Sequence, residues 1–276
     1  MTITFIGGGN MATALIGGLV ARGRPERDFR VVEPSAAQRQ RLAARFPAAM
    51  LLPATDARAV AGSALVVLAV KPQFMREAAL ALAPHLAAAP GLAILTIAAG
   101  IRCADLAHWL GSPVPIIRAM PNTPALIGKG ITGLYAAPDV AADELALAAE
   151  VLEAAGEVIR VDRESMLDAI TGVSGSGPAY VFYFLEACEE AARDLGFAGA
   201  DARRLAYATF SGAIALAQAS AEAPAVLRAQ VTSKGGTTER GIAAMDAAGV
   251  KAAIVAGVKA AAQRAQELGD AFGSGA

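Results

Sequence analysis

The chain has 276 residues, enough for one large domain or two ordinary ones, and 55% of them are hydrophobic, with much alanine and few aromatics. A net charge of −1 leaves no electrostatic footprint for nucleic acid and no basic run for a membrane surface. No apolar run approaches the roughly 20 residues of a membrane span, and Cys103 and Cys188 match no metal spacing, so no metal site is expected. The first residues run into an apolar strand without a basic region or cleavage site, which makes a cytoplasmic protein the expectation.

Residues 1–162 alternate strands with helices. "TITFIGGG" opens with a short buried strand, and "MATALIGGLVARG" follows as a helix stopped near Gly23. "FRVVEP" is a second strand and "AAQRQRLAARF" a helix with a basic outer face. "ALVVLAVKP", "LAILTIAAG" and "VPIIRAMPN" are central strands, and "GITGLYA" and "EVIRV" flank the helical "DELALAAEVLEAAG". Apolar runs without strict alternation indicate strands covered on both faces, as in a parallel sheet. The alternation predicts a Rossmann-type doubly wound α/β domain.

Residues 163–276 carry no strand signal and predict an all-α domain. "PAYVFYFLEACEEAARDLG" places Pro178 in a helix's first turn and stops at Gly196. Its start, Tyr180 to Leu185, is apolar all round, which predicts burial on every side. "DARRLAYATFSGAIALAQAS" is a second helix with Asp201 placed to cap it, and "APAVLRAQV" a short third. "GIAAMDAAG" and "VKAAIVAGVKAAAQRAQELG" are further helices, and the tail "DAFGSGA" reads as disordered. So small and apolar a domain is expected to pack on a copy of itself, although packing on the first domain also fits.

"FIGGGNMATAL" puts Gly7, Gly9 and Ala12 at G-x-G-x-x-A between a strand and a helix. The first glycine makes the tight turn, the second admits a pyrophosphate, and the third small residue packs helix on strand. The amides of Asn10, Met11 and Ala12, at the positive end of the helix dipole, then face the phosphates. Glu33, at the end of the second strand, is placed for the adenosine ribose and favours NAD, whereas Ser35, Arg39 and Arg41 close by suit a 2′-phosphate. NAD(H) against NADP(H) stays open at this point. Ala69, Val70, Lys71 and Pro72 end the central strand, where ligands of such sheets bind, and Lys71 can reach phosphate or ribose. Ala98, Ala99 and Gly100 are small enough to let a nicotinamide ring lie against backbone. Asn122, between two prolines, can orient a carboxamide or substrate, or hold a turn.

"GVSGSGPAY", together with "AVKP", "RAMPNTP" and "VTSKGGTTERGI", closely resembles the pyrroline-5-carboxylate reductase family, over the full chain and in the family's order. The resemblance implies NAD(P)H-dependent reduction of the cyclic imine 1-pyrroline-5-carboxylate to L-proline, the last step of proline biosynthesis. It also implies a helical dimerisation domain, with dimers often assembled into rings such as decamers. The family's substrate loop falls on Ser233 to Thr238. By resemblance, Ser233 and the amides of Gly236 and Thr237 hold the substrate carboxylate, and Thr238 is the catalytic hydroxyl at the ring nitrogen. Ser176 and Gly177 of "SGSGP" are read as lining the substrate pocket, and Ser174 and Ser176 as equally suited to capping the helix that follows. Lys234 stands where the family often has proline, and solvent is its expected surrounding.

No acid–base pair is visible, because His85 and His108 lie outside every motif. The imine is therefore expected to bind as its iminium, or to take its proton through Thr238 from water. A β-hydroxyacid or 6-phosphogluconate-type dehydrogenase would share the domain order but uses a lysine on the first long C-terminal helix, and residues 179–195 contain none. A non-catalytic NAD(P)-binding regulator would not need the hydroxyl-rich loop. If the helical half dimerises, the loop serving a given cofactor can come from the partner chain.

Overall fold

A computed structural model of the chain describes residues 1–274. Contacts divide it into two compact units, Met1–Ser176 together with the chain from Ala260 onward, and Gly177–Lys259. The first unit opens with β1 (Thr2–Ile6), α1 (Asn10–Ala21), β2 (Phe29–Val32), α2 (Ala36–Arg45), β3 (Met50–Leu52), α3 (Ala57–Val60) and β4 (Ser63–Leu68). It continues through α4 (Met75–Leu86), β5 (Ala93–Thr96), α5 (Cys103–Leu110), β6 (Ile116–Met120), β7 (Gly130–Ala136), α6 (Ala142–Glu153), β8 (Gly156–Arg160) and α7 (Met166–Ile170). A π-helical turn, Thr171–Gly175, leads out of α7.

The eight strands form one sheet in the order β3-β2-β1-β4-β5-β6-β7-β8. A strand's successive side chains point to opposite faces. Ile3, Phe5, Leu65 and Val67 therefore join residues of α1 and α6 in one apolar layer, while Ile6, Val66 and Leu68 join residues of α3, α4 and α5 in the other. Strands apolar at nearly every position are thus buried on both sides, and the doubly wound sheet is observed. One pair departs from the parallel expectation: β7 runs antiparallel to β6. The connection, residues 121–129, is shorter than the dozen or so residues of a parallel crossover.

The compact units divide at Ser176/Gly177 rather than at the sequence boundary of 162/163. The reason is packing after β8. Leu167 of α7 is fully buried, and Glu164 and Asp168 pair with Arg118 of β6. The chain from Ala260 also belongs to the first unit. Its tail is not loop-like: α12 (Val250–Ser274) carries helix through "DAFGS", because Phe272 packs on the second apolar layer and Asp270 pairs with Arg102.

The second unit is all-helical: α8 (Gly177–Asp194), α9 (Gly199–Gln218), α10 (Pro224–Gln230), α11 (Thr237–Ala247) and the first part of α12. Buried Glu189 of α8 binds Arg193 at 2.8 Å and Arg203 of α9 at 3.1 Å, which ties the two long helices. Asp201 does not cap α9. The cap position is Ala198, and Asp201 sits in the first turn, where its charge complements the helix dipole. The start of α8, expected to be buried all round, is open in the single chain, with Phe182 64% and Tyr183 71% exposed. Among the described residues no single helix is long and apolar enough to cross a membrane; α11 and α12 reach that measure only together, and they are bent by 53°.

Candidate dinucleotide and substrate sites

The C-terminal ends of β1, β2 and β4 open onto a cleft of about 780 Å³ in the first unit. Gly7 makes the turn out of β1 with φ of +98°, and a Cβ there would sit 2.9 Å from the Ala69 carbonyl oxygen. Only glycine accommodates both demands. Gly9 caps α1 through its backbone alone, and a Cβ on it would meet nothing within 4 Å. The helix has no side-chain cap and no acidic residue in its first turn, so its amides stay available to an anion. Ala12 is fully buried, which lets α1 lie close on the sheet.

Gly7, Gly9, Glu33, Ser35, Ala69, Val70 and Lys71 all line this cleft. Glu33 is oriented by two amides: its carboxylate accepts from Gly8 N at 3.0 Å and Ser35 N at 2.9 Å. The Ser35 hydroxyl caps α2 by accepting from Gln38 N. Arg39 is not among the cleft's lining residues and donates to the carbonyls of Glu33 at 2.7 Å and Pro34 at 2.8 Å. Pro72 begins a short 3-10 turn behind Lys71. The opposite wall, Pro53 to Thr55 with Phe74 and Glu77, escaped the sequence reading. Its signal was β3, whose three residues between prolines were too short to read as a strand.

Ala98, Ala99 and Gly100 follow β5 outside that cleft. Ala98 and Gly100 are buried and Ala99 is partly open. Asn122 follows β6 and is committed to its neighbours. Its Oδ1 accepts from Ile131 N at 3.0 Å, and its Nδ2 donates to the Ser174 carbonyl at 3.2 Å. Asn122 thereby fastens the "VSGSGP" turn. The Ser174 hydroxyl donates back to the Ile170 carbonyl, so it does not cap α8. Ser176 ends the first unit and Gly177 begins the second.

β6 also carries a buried arginine in an ion cluster that no local sequence pattern signals. Arg118, 2% exposed, reaches Glu164 at 3.1 Å and Asp168 at 3.3 Å. Glu164 also accepts from Cys103 N at 2.8 Å at the start of α5. Burial first, and the Glu164 carboxylate second, push the Cys103 thiol far above its ordinary value of 9.0. Its contribution to stability is therefore intact below that value. It is lost as pH rises further, because the unfolded chain ionises while the folded one stays protonated. In urea titrations, Cys103→Ala is expected to remove up to about 1.4 kcal/mol per pH unit of alkaline destabilisation above that value. Parallel curves for the two proteins would mean that the thiol ionises freely in the fold.

The hydroxyl-rich loop belongs to the second unit. Gly235 takes φ of +73°, and Gly236 caps α11 without a side chain. Thr237 and Thr238 are the first helical residues and are exposed, so the helix starts ahead of "GIAAMDAAG". The Gly236 amide is spent on the Ser233 carbonyl at 3.0 Å, and the Gly235 amide on the Glu239 carboxylate at 2.6 Å. The amides of Thr237 and Thr238 head the first turn, where no intrahelical acceptor exists. A Cβ on Gly236 would lie 2.6 Å from the Ser233 hydroxyl, so glycine is what lets that hydroxyl approach the helix start. Lys234 is exposed.

The sheet order and the cleft at its carboxyl edge define a dinucleotide-binding protein of the Rossmann class. Residues 2–100 match the family described as NADP oxidoreductase coenzyme F420-dependent, and residues 164–268 the family described as pyrroline-5-carboxylate reductase dimerisation. The chain is 45% identical to the pyrroline-5-carboxylate reductase of Pseudomonas aeruginosa over 98% of each chain, and 36% identical to that of Corynebacterium melassecola over 97% of this chain and 98% of the relative. The solved pyrroline-5-carboxylate reductase of Coxiella burnetii, 35% identical, superposes with a TM-score of 0.88 over 97% of this chain and 98% of that one. The chain belongs to the pyrroline-5-carboxylate reductase family.

Proposed function

We propose that the chain reduces the C=N bond of 1-pyrroline-5-carboxylate to give L-proline, using NAD(P)H. The observation that carries this is the 45% identity, end to end, to a reductase of that name. The reduced nicotinamide, when bound, supplies the hydride to the imine carbon. The glycine turn and the amides of Asn10, Met11 and Ala12 hold the pyrophosphate. Ala98 to Gly100 give the nicotinamide a flat backbone seat. The Thr237 and Thr238 amides with the Ser233 hydroxyl hold the substrate carboxylate, and the Thr238 hydroxyl orients the ring nitrogen, which gains the proton. Ser176 and Gly177 line the substrate pocket. The test is substrate-dependent loss of absorbance at the nicotinamide band; no turnover with 1-pyrroline-5-carboxylate, while both cofactors bind, would overturn the reading.

Of the two cofactors we assign the preference to NADH. Glu33 is held in the cleft wall by two amides, and Arg39 is occupied with backbone carbonyls. A carboxylate there accepts from ribose hydroxyls and repels a 2′-phosphate. Glu33→Gln keeps an acceptor and removes the charge. It is expected to lower the NADH:NADPH ratio of kcat/KM by roughly tenfold or more, the worth of a hydrogen bond to a charged group. An unchanged ratio would place the ribose elsewhere.

Self-association follows from the dimerisation family matched by residues 164–268 and from the open apolar start of α8. We propose a dimer, assembled further into rings such as decamers, which mass measurement in solution tests directly.

A further inference from the structure

We propose that the C-terminal turns of α12 act as a latch that positions the nicotinamide seat. This rests on the assignment of Ala98 to Gly100 to the nicotinamide. The loop is anchored at its two ends, by Ala98 and by Ile101, both buried in the second apolar layer, while Gly100 between them, at φ of +73°, has no side chain to hold it. What covers Gly100 is Phe272: a Cβ at Gly100 would lie 3.4 Å from two carbons of the ring. Two residues past Gly100, Arg102 donates to Asp270 at 2.6 Å. Gly269 and Gly273 let the helix come this close, since a Cβ on them would lie 3.2 Å from the Arg102 guanidinium and 2.9 Å from the Asp105 carboxylate. One aromatic contact and one ion pair thus press the helix end on the closed side of the loop. Ala99 remains partly open to a ligand.

The latch makes Phe272 and Asp270 positioning residues: Phe272 lies on Gly100 and Asp270 holds Arg102 just past the loop, and neither is assigned a contact with the cofactor. They lie apart from the residues that line the adenosine cleft. Removing them should therefore loosen the nicotinamide end alone. Three variants test this: Phe272→Ala, Asp270→Asn, and a chain ended after Leu268. Two probes are titrated by calorimetry, NADH and ADP-ribose, the second lacking the nicotinamide. Phe272→Ala and the shortened chain are expected to bind NADH roughly tenfold more weakly, and to lose between tenfold and a hundredfold in kcat, the scale of a small misplacement of the reacting group. Asp270→Asn is expected to move both in the same direction by less. ADP-ribose affinity should stay at the wild-type value, and Phe272→Leu should recover most of the NADH affinity. Equal weakening toward both probes would mean general loss of structure and would overturn the latch. So would unchanged NADH binding in the shortened chain. Wild-type protein that binds ADP-ribose and NADH equally tightly, but turns over no substrate, would instead sink the proposed reaction and the nicotinamide seat with it.

Discussion

Replacing Thr238 by alanine is expected to lower kcat for 1-pyrroline-5-carboxylate by on the order of a hundredfold to a thousandfold, the usual loss when one hydrogen-bond donor aimed at a reacting group is removed. KM should change far less, because the Ser233 hydroxyl and the first-turn amides still hold the carboxylate in the proposed site. Thr238 is exposed in the first turn of α11, so the variant should fold as the wild type does. Thr238→Ser keeps the hydroxyl and should retain most of the rate. Thr238→Val keeps the shape and should behave like alanine. A rise in KM at constant kcat would make Thr238 a binding residue only. Wild-type kinetics in both alanine and valine variants would remove it from the site.

Arg118→Met is expected to cost about 3 kcal/mol of folding stability, the low end of the range for removing one partner of a buried ion pair, because both carboxylates keep some contact with solvent. The guanidinium is 2% exposed and faces two half-buried carboxylates, so its loss takes the ion-pair partner from both Glu164 and Asp168. Urea unfolding followed by circular dichroism measures the loss. The triple change Arg118→Met, Glu164→Gln and Asp168→Asn should restore most of it, because neutral groups need no counter-charge. A loss below about 1 kcal/mol for the single change would fit a solvent-exposed pair instead. Since α7 leads directly into the "VSGSGP" turn, residual folded protein should also bind substrate less well.

The layers of the fold were readable because burial on both faces of a sheet leaves an apolar residue at nearly every strand position, as in "SALVVL" of β4. The glycine turn was readable because its task is local: Gly7, Gly9 and Ala12 act through the backbone beside them. Strand direction was not. β7 carries the same kind of apolar run as the parallel strands of the sheet, and only the short connection before it marks its antiparallel pairing with β6. Missing β3 hid the wall of the cleft that follows it. The role of Arg118 depends on carboxylates 46 and 50 positions later, which no local pattern announces. The tail misled for the same reason. "DAFGSGA" has the composition of a loose end, yet Phe272 and Asp270 are ordered by Gly100 and Arg102. Asp201 shows the limit of end-signals at finer grain, since an acid near a helix start serves as cap or as first-turn charge depending on a shift of a few residues.

The first unit is assembled from two stretches of chain, before Gly177 and after Lys259. No single stop codon or single start site can therefore release it whole. A gene cut after Ser176 encodes the full sheet but lacks the helix end that lies on Gly100 and Arg102. A minimal nucleotide-binding fragment has to join residues 1–176 to the segment from Ala260 onward.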